Sequence, residues 1–272
     1  MANLHIMAGT GDKLDMPVIR HISLADLGDA LARGVADFWA RPSHYVLLML
    51  IYPILGIVLT IWMNGYYTWP LLYPLIGGFA LIGPVAALPL YEISRRREAG
   101  LDPSWRDAIN VIHSPAIGSI IAVGVMLLFL FTLWLTSAQA LYESLFGAAP
   151  PQTLWGLLNQ VMAEPGGMTL IIAGTGLGAL FALIALATSV IAFPLLLDRD
   201  AGAYVAVETS MRAMLRNPVP ILAWGCIVGI GVFLSALTLF VGLAVVLPIL
   251  GHATWHLYRK LVEPASMIRG AE

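Results

Sequence analysis

From Pro218 to Trp255 the chain reads PVPILAWGCIVGIGVFLSALTLFVGLAVVLPILGHATW, without one Asp, Glu, Lys or Arg. A helix crosses a hydrocarbon core about 30 Å thick with about 20 apolar residues. The stretch is too long for one ordinary span. Ser235-Ala236 is a plausible turn, dividing it into spans over Val219–Leu234 and Leu239–Leu257. One long tilted helix plus a re-entrant piece is the alternative. Arg212 and Arg216 precede the stretch, and Arg259 and Lys260 follow it. Lys/Arg bias sets orientation, so basic residues at both ends put both ends on one side of the membrane. A hairpin fits, and with it an even number of crossings.

Outward from this hairpin lie four more apolar runs: Tyr45–Met63, Trp69–Tyr91, Ile117–Leu135 and Met168–Leu195. The expected fold is an all-α integral membrane protein with six transmembrane helices. All fourteen Lys and Arg residues fall in alternate connections. The other connections, Asn64–Thr68, Thr136–Gly167 and the turn near Ser235, carry only Glu143 and Glu164. Both termini are therefore expected on the cytoplasmic side. The expected division is a cytoplasmic segment over 1–42 with an amphipathic interfacial helix, a six-helix domain over 43–258, and a tail over 259–272.

Composition points the same way. Hydrophobic residues are 59% of the chain and charged residues 11%, against roughly 25% charged in an average soluble domain. Lipid must solvate part of such a surface. A net charge of −2 argues against a nucleic-acid partner, which wants a basic face. The single Cys226 forms no disulfide framework. Met1–Arg41 lacks the apolar core of a cleavable signal, so the first apolar run is expected to act as an uncleaved anchor. Trp62, Tyr66, Tyr67, Trp69 and Trp134 are expected at the outer border, and Trp39, Tyr45, Tyr91, Trp255 and Tyr258 at the inner one.

A weak repeat runs through the chain. An amphipathic segment with Leu24, Leu27, Leu31, Val35 and Phe38 ends at Arg41-Pro42. A second starts at Asp102-Pro103, read as N-cap and first turn, continues with Trp105, Ile109 and Ile112, and ends at Ser114-Pro115. A third has Tyr204, Val207, Met211 and Met214 and ends at Asn217-Pro218. Two spans follow each, and the second span of each pair carries a proline near its cytoplasmic end: Pro89, Pro194 and Pro248. Arg97-Glu98-Ala99-Gly100 and Arg199-Asp200-Ala201-Gly202 stand at matching places. Three copies of interfacial helix plus hairpin are expected.

The stretch Pro17-Val18-Ile19-Arg20, the Gly34…Asp37-Phe38-Trp39 helix, Gly83-Pro84, Arg216-Asn217-Pro218 and the ending Leu247-Pro248…His252-Ala253-Thr254-Trp255-His256-Leu257-Tyr258-Arg259 resemble a bacterial family of predicted integral membrane proteins with a domain of unknown function. The resemblance implies a bacterial inner-membrane location. It supplies no activity, cofactor or site residue.

No catalytic motif stands out, and no cofactor is expected. His252 and His256 share a helix face at i, i+4. Two such imidazoles can hold a metal or haem, with His44 and His113 at the same border. No carboxylate lies within the spans to complete a ligand set, so ordinary border residues are the stronger reading. Arg95, Arg96 and Arg97 follow the second span and are candidates for anionic lipid headgroups; a plain topology signal is the alternative. Gly174/Gly178 and Gly225/Gly229 are small-xxx-small pairs suited to helix packing. The second span carries Pro74, Pro84 and Pro89 with Gly77, Gly78 and Gly83, and is expected to be kinked or unwound. Between Thr136 and Gly167, Pro150-Pro151 precede Leu154, Trp155, Leu158 and Val161 at helical spacing, which predicts a short helix on the outer surface.

No charge lies deep in any span, which counts against proton-coupled transport. A non-enzymatic accessory or scaffold subunit, with lipids and other membrane subunits as partners, ranks first. A transporter or lipid-handling protein ranks second, and a haem or metal protein third.

Overall fold

The computed structural model describes residues 16–40, 68–238 and 240–264, with Ile6, Ile54, Val58, Ile61, Trp62, Gly65 and Tyr66 besides. Most of the expected first span, with Arg41-Pro42, His44, Tyr45 and Tyr67, lies outside the described residues. The rest is helical. The helices are α1 (Leu24–Ala40), α2 (Leu72–Ala86), α3 (Leu88–Glu98), α4 (Trp105–Ile109), α5 (Ile117–Phe146), α6 (Leu154–Ala163), α7 (Gly167–Ser189), α8 (Ala192–Asp198), α9 (Ala203–Arg216), α10 (Pro218–Leu237) and α11 (Leu243–Leu261).

Among the described residues, three helices are long and apolar enough to cross a membrane: α5, α7 continued by α8, and α10. That is fewer than the six expected, for identifiable reasons. The second expected span is broken at Ala87 into α2 and α3. Pro84 stands inside α2, and Pro89 opens α3. A proline lacks the N–H that would continue the ladder. The last expected span is α11, whose first half is apolar and whose second half carries His252, His256, Arg259 and Lys260. The hairpin itself is present. Its turn lies three residues later than Ser235-Ala236, at Thr238–Gly242, with Phe240 in the left-handed region (φ 65°).

The core lies toward one end of the long helices. There α3, α8 and the second half of α11 pack on one another, and α1 lies along α11. Leu90, Tyr91, Phe193, Leu195, Trp255 and Tyr258 are fully enclosed. Tyr91, Trp255 and Tyr258 thus face the core and not the headgroups; Trp69 and Trp134 are likewise buried. Trp39, Trp62 and Tyr66 are exposed.

The interfacial helices bury a different face from the one their large apolar residues suggest. On α1 the buried residues are Leu27, Ala30, Gly34, Asp37 and Phe38, while Leu24 and Val35 point outward. On α9 they are Ala203, Val205, Ala206, Thr209, Ser210 and Ala213, with Tyr204 and Met211 exposed. Small residues let these helices lie close to their neighbours, while Leu24, Val35, Tyr204 and Met211 stay exposed. The cap of α4 is Ser104, one residue beyond Asp102-Pro103. Its N–H and Oγ both donate to Asp107 Oδ2 (2.9 and 2.7 Å), closing a capping box. The expected outer helix is α6, capped by Thr153, which accepts from the Gly156 N–H (3.0 Å).

Candidate functional site

Two features stand out: a polar cluster in the cap that this core forms and an apolar cleft above it. The cluster begins with Asp37, the one acid on the buried face of α1. Its surroundings are set by the crossing of α1 over α11. A Cβ at Gly34 would stand 2.7 Å from the Ala253 nitrogen and the Ile249 carbonyl, so only glycine permits this approach. The approach brings Asp37 against α3 and α11. Ser94 Oγ donates to Asp37 Oδ2 (2.5 Å) and lies 2.7 Å from His252 Nδ1. His256 Nε2 is 2.9 Å from the same carboxylate oxygen, and Arg97 Nη1 is 2.8 Å from the other. Burial pushes the Asp37 carboxyl up, but the hydrogen bonds from His256 and Ser94 and the charge of the two histidines outweigh it; the net direction is down.

Ionic contacts continue along the cap. Arg259 reaches from α11 to Glu98 at the end of α3 (3.0 Å) and toward Asp198 at the end of α8 (3.7 Å). The Trp255 indole donates to Glu98 (3.0 Å) and the Tyr258 hydroxyl to Asp198 (2.6 Å). Lys260 spans Asp26 and Asp29 of α1 at 2.9 Å each. The Asn217 side chain accepts from the Ile22 N–H (2.9 Å) and donates to the Arg20 carbonyl (3.0 Å), tying the entry to α1 to the start of α10.

These contacts place the residues singled out in the sequence. His252 and His256 do come together, on Asp37 and Ser94. Among the described residues no group of three or more His, Cys, Asp or Glu forms a metal-ligand set. His113 stands exposed in the turn after α4, apart from them. A nucleophilic serine must present its oxygen to substrate, whereas Ser94 and His252 are wholly enclosed. The geometry is that of a clasp holding α1. Of the arginine triplet, Arg95 and Arg96 pair with Glu92 (2.8 and 2.7 Å), Arg96 also with Asp107 (3.0 Å), and Arg97 with Asp37. Sequence reasoning passed over Asp37 and Ser94. The available signal was an acid on an apolar helix face, three residues after a glycine.

The cleft lies in the membrane half, between α2, α7, α10 and α11, with a volume of about 480 Å³. Its deep wall is Leu81, Ala87, Tyr91, Trp224, Leu250 and Gly251, all buried. Its mouth is Ala179, Ala182, Leu183, Leu222, Cys226 and Gly229, all exposed, so it opens sideways between α7 and α10. The break after Pro84 and the small residues along α7 and α10 leave this space unfilled. Of the expected glycine pairs, Gly178 meets Trp134 (3.3 Å) and Gly225 meets Leu186 (2.6 Å), where a Cβ would be crowded. A Cβ at Gly229 meets nothing within 4 Å, and one at Gly174 only Leu141 at 3.9 Å. One member of each pair packs helices; Gly229 instead borders the cleft.

Residues 72–198, from α2 to the end of α8, match the model of a family described as predicted integral membrane protein (DUF2189), a domain of unknown function. The resemblance expected from the sequence holds over that stretch, which contains the α2 and α7 walls of the cleft. No curated protein and no solved structure matches the chain.

Proposed function

We propose that this chain is a non-enzymatic, lipid-handling membrane protein that takes one apolar molecule from the bilayer into the cleft between α7 and α10. The observation that carries this reading is the cleft itself: a lateral, apolar opening of about 480 Å³, within the size range of small-molecule sites. The cap holds its floor in place, because α3 and α11 supply both the deep wall and the Asp37 clasp. Gly83 and Gly229 line the cleft with open space at their Cβ positions. Gly83→Leu and Gly229→Leu should therefore fill it without a clash. Lipid analysis of the protein purified in mild detergent should find about one apolar molecule per wild-type chain and none in the filled variants. Retention by both variants would sink the proposal.

The reading includes six spans with both termini cytoplasmic, in a bacterial inner membrane. A reporter fused after Gly147 should read periplasmic and one after Gly100 cytoplasmic; reversed reporters would refute this. The threefold repeat belongs to the same reading. Gly100 and Gly202, at matching places after α3 and α8, both adopt positive φ (73° and 81°). The exposed faces of Arg95, Arg96 and Arg97 are positioned to meet anionic headgroups as the second half of their role. A second reading, an accessory subunit of a membrane assembly, is favoured by α6, which buries none of its residues and exposes Trp155, Leu158 and Met162. A stoichiometric partner in a mild-detergent pull-down that is lost on Trp155→Ala with Met162→Ala would favour it.

A further inference from the structure

We propose that the cleft selects a neutral lipid bearing a hydroxyl head, an uncharged hydrogen-bond donor on an apolar chain. This rests on the cleft being a lipid site and adds what the site prefers. The polar atoms of its lining are mainly acceptors. Pro84 has no N–H to give the Ala80 carbonyl, its partner one turn back. At the break between α7 and α8, Pro194 likewise gives nothing to the Val190 carbonyl, while the Ile191 N–H turns to Ser210 Oγ (3.5 Å). Ala80 and Val190 both line the cleft. Ser189 and Thr254 line it too, and their hydroxyl protons go to the Ala185 and Leu250 carbonyls of their own helices (2.7 Å each). That leaves both oxygens with lone pairs only.

Among the described residues, no Asp, Glu, Lys, Arg or His lines the cleft. A phosphate, carboxylate or ammonium head would enter with no counter-charge, and desolvation opposes it. A hydroxyl enters without that penalty and gives its proton to one of these acceptors. It also accepts, which suits the Trp224 indole on the same wall. An ether with the same chain cannot donate.

The test is native mass spectrometry of the full chain in detergent with three probes: hexadecanol, its methyl ether and palmitate. The alcohol should be retained about tenfold better than either, the scale of one hydrogen bond. Gly229→Leu and Gly83→Leu should each abolish the adduct. Equal retention of alcohol and ether, lost in both variants, would overturn the donor preference and leave the lipid cleft standing. Palmitate bound as well as the alcohol would overturn neutrality in the same way. Adducts indifferent to both substitutions would overturn the cleft itself.

Discussion

In the cap, Trp255 and Tyr258 are enclosed and each gives its polar hydrogen to a carboxylate on a different helix. In the membrane half, Phe129, Ile172, Ile230 and Phe233 point away from the protein. The cap is in contact with water, so apolar burial drives its assembly and each enclosed polar group must find a partner. The membrane half has lipid for solvent, so apolar burial gives no such drive. There, close packing depends on small residues: Gly77 and Gly78 against Trp134 and Phe131, and Gly225 against Leu186. Where that packing lapses, at Gly83 and Gly229, a cleft remains. A cap tied across helices by ionic contacts and a loosely filled membrane half divide the tasks of holding the fold and taking a ligand.

The strongest way to break this contrast is Gly34→Leu. The new side chain meets backbone of α11 at 2.7 Å, so neither helix can yield by a rotamer change. We expect α1 to leave α11, with a loss of about 3 kcal/mol or more. Limited proteolysis should then cut within Leu24–Ala40; an intact, protected helix would refute the close crossing. Asp37→Ala is next. It leaves Arg97, His256 and Ser94 facing no carboxylate, and about 3 kcal/mol should be lost, the lower end for a broken buried pair because Arg97 is partly exposed. Thermal melts in detergent would read this directly, and an unchanged melt would mean the clasp does not hold the cap.

Acid should release α1 by the same contacts. The Ser23 N–H, followed by Lys260, holds the Asp26 carboxyl down at about 2, against 3.8 ordinarily. A depressed pKa contributes stability that is whole above the ordinary value and drains away as pH falls toward the depressed one. Asp37 is shifted in the same direction. Protease protection of α1 should therefore fall between about pH 4 and 2, and Asp26→Asn should flatten part of that fall. Gly202→Ala should cost about 1 kcal/mol, since its φ of 81° disfavours a side chain. The smallest effect belongs to the membrane half: Gly229→Leu should change the melting midpoint hardly at all, within about 0.5 kcal/mol, while emptying the cleft. A large destabilisation there would mean the cleft is already packed.

Much of the architecture was legible. The hairpin from Pro218 onward, the break near Pro84 to Pro89, the outer helix at Leu154 and the convergence of His252 with His256 all follow from local pattern. Periodicity found Leu27 and Phe38 on the buried face of α1, but the buried face of α9 was not legible, because periodicity picks out the large residues and here close approach favours Ala206 and Ala213. The roles of Trp255 and Tyr258 were hidden for a related reason. An amphipathic ring near a span end suits a headgroup border or a buried hydrogen bond equally well, and the choice depends on Glu98 and Asp198, distant in sequence.

Composition and the spacing of charge settled by themselves that this chain is helical and apolar enough to belong in a membrane, because solvent preference and backbone satisfaction are summed residue by residue. Tertiary structure decided which faces meet, that Asp37 gathers Ser94, Arg97 and both histidines, and that a cleft stays open between α7 and α10. Those outcomes depend on distances between residues far apart in the chain, which no local pattern encodes.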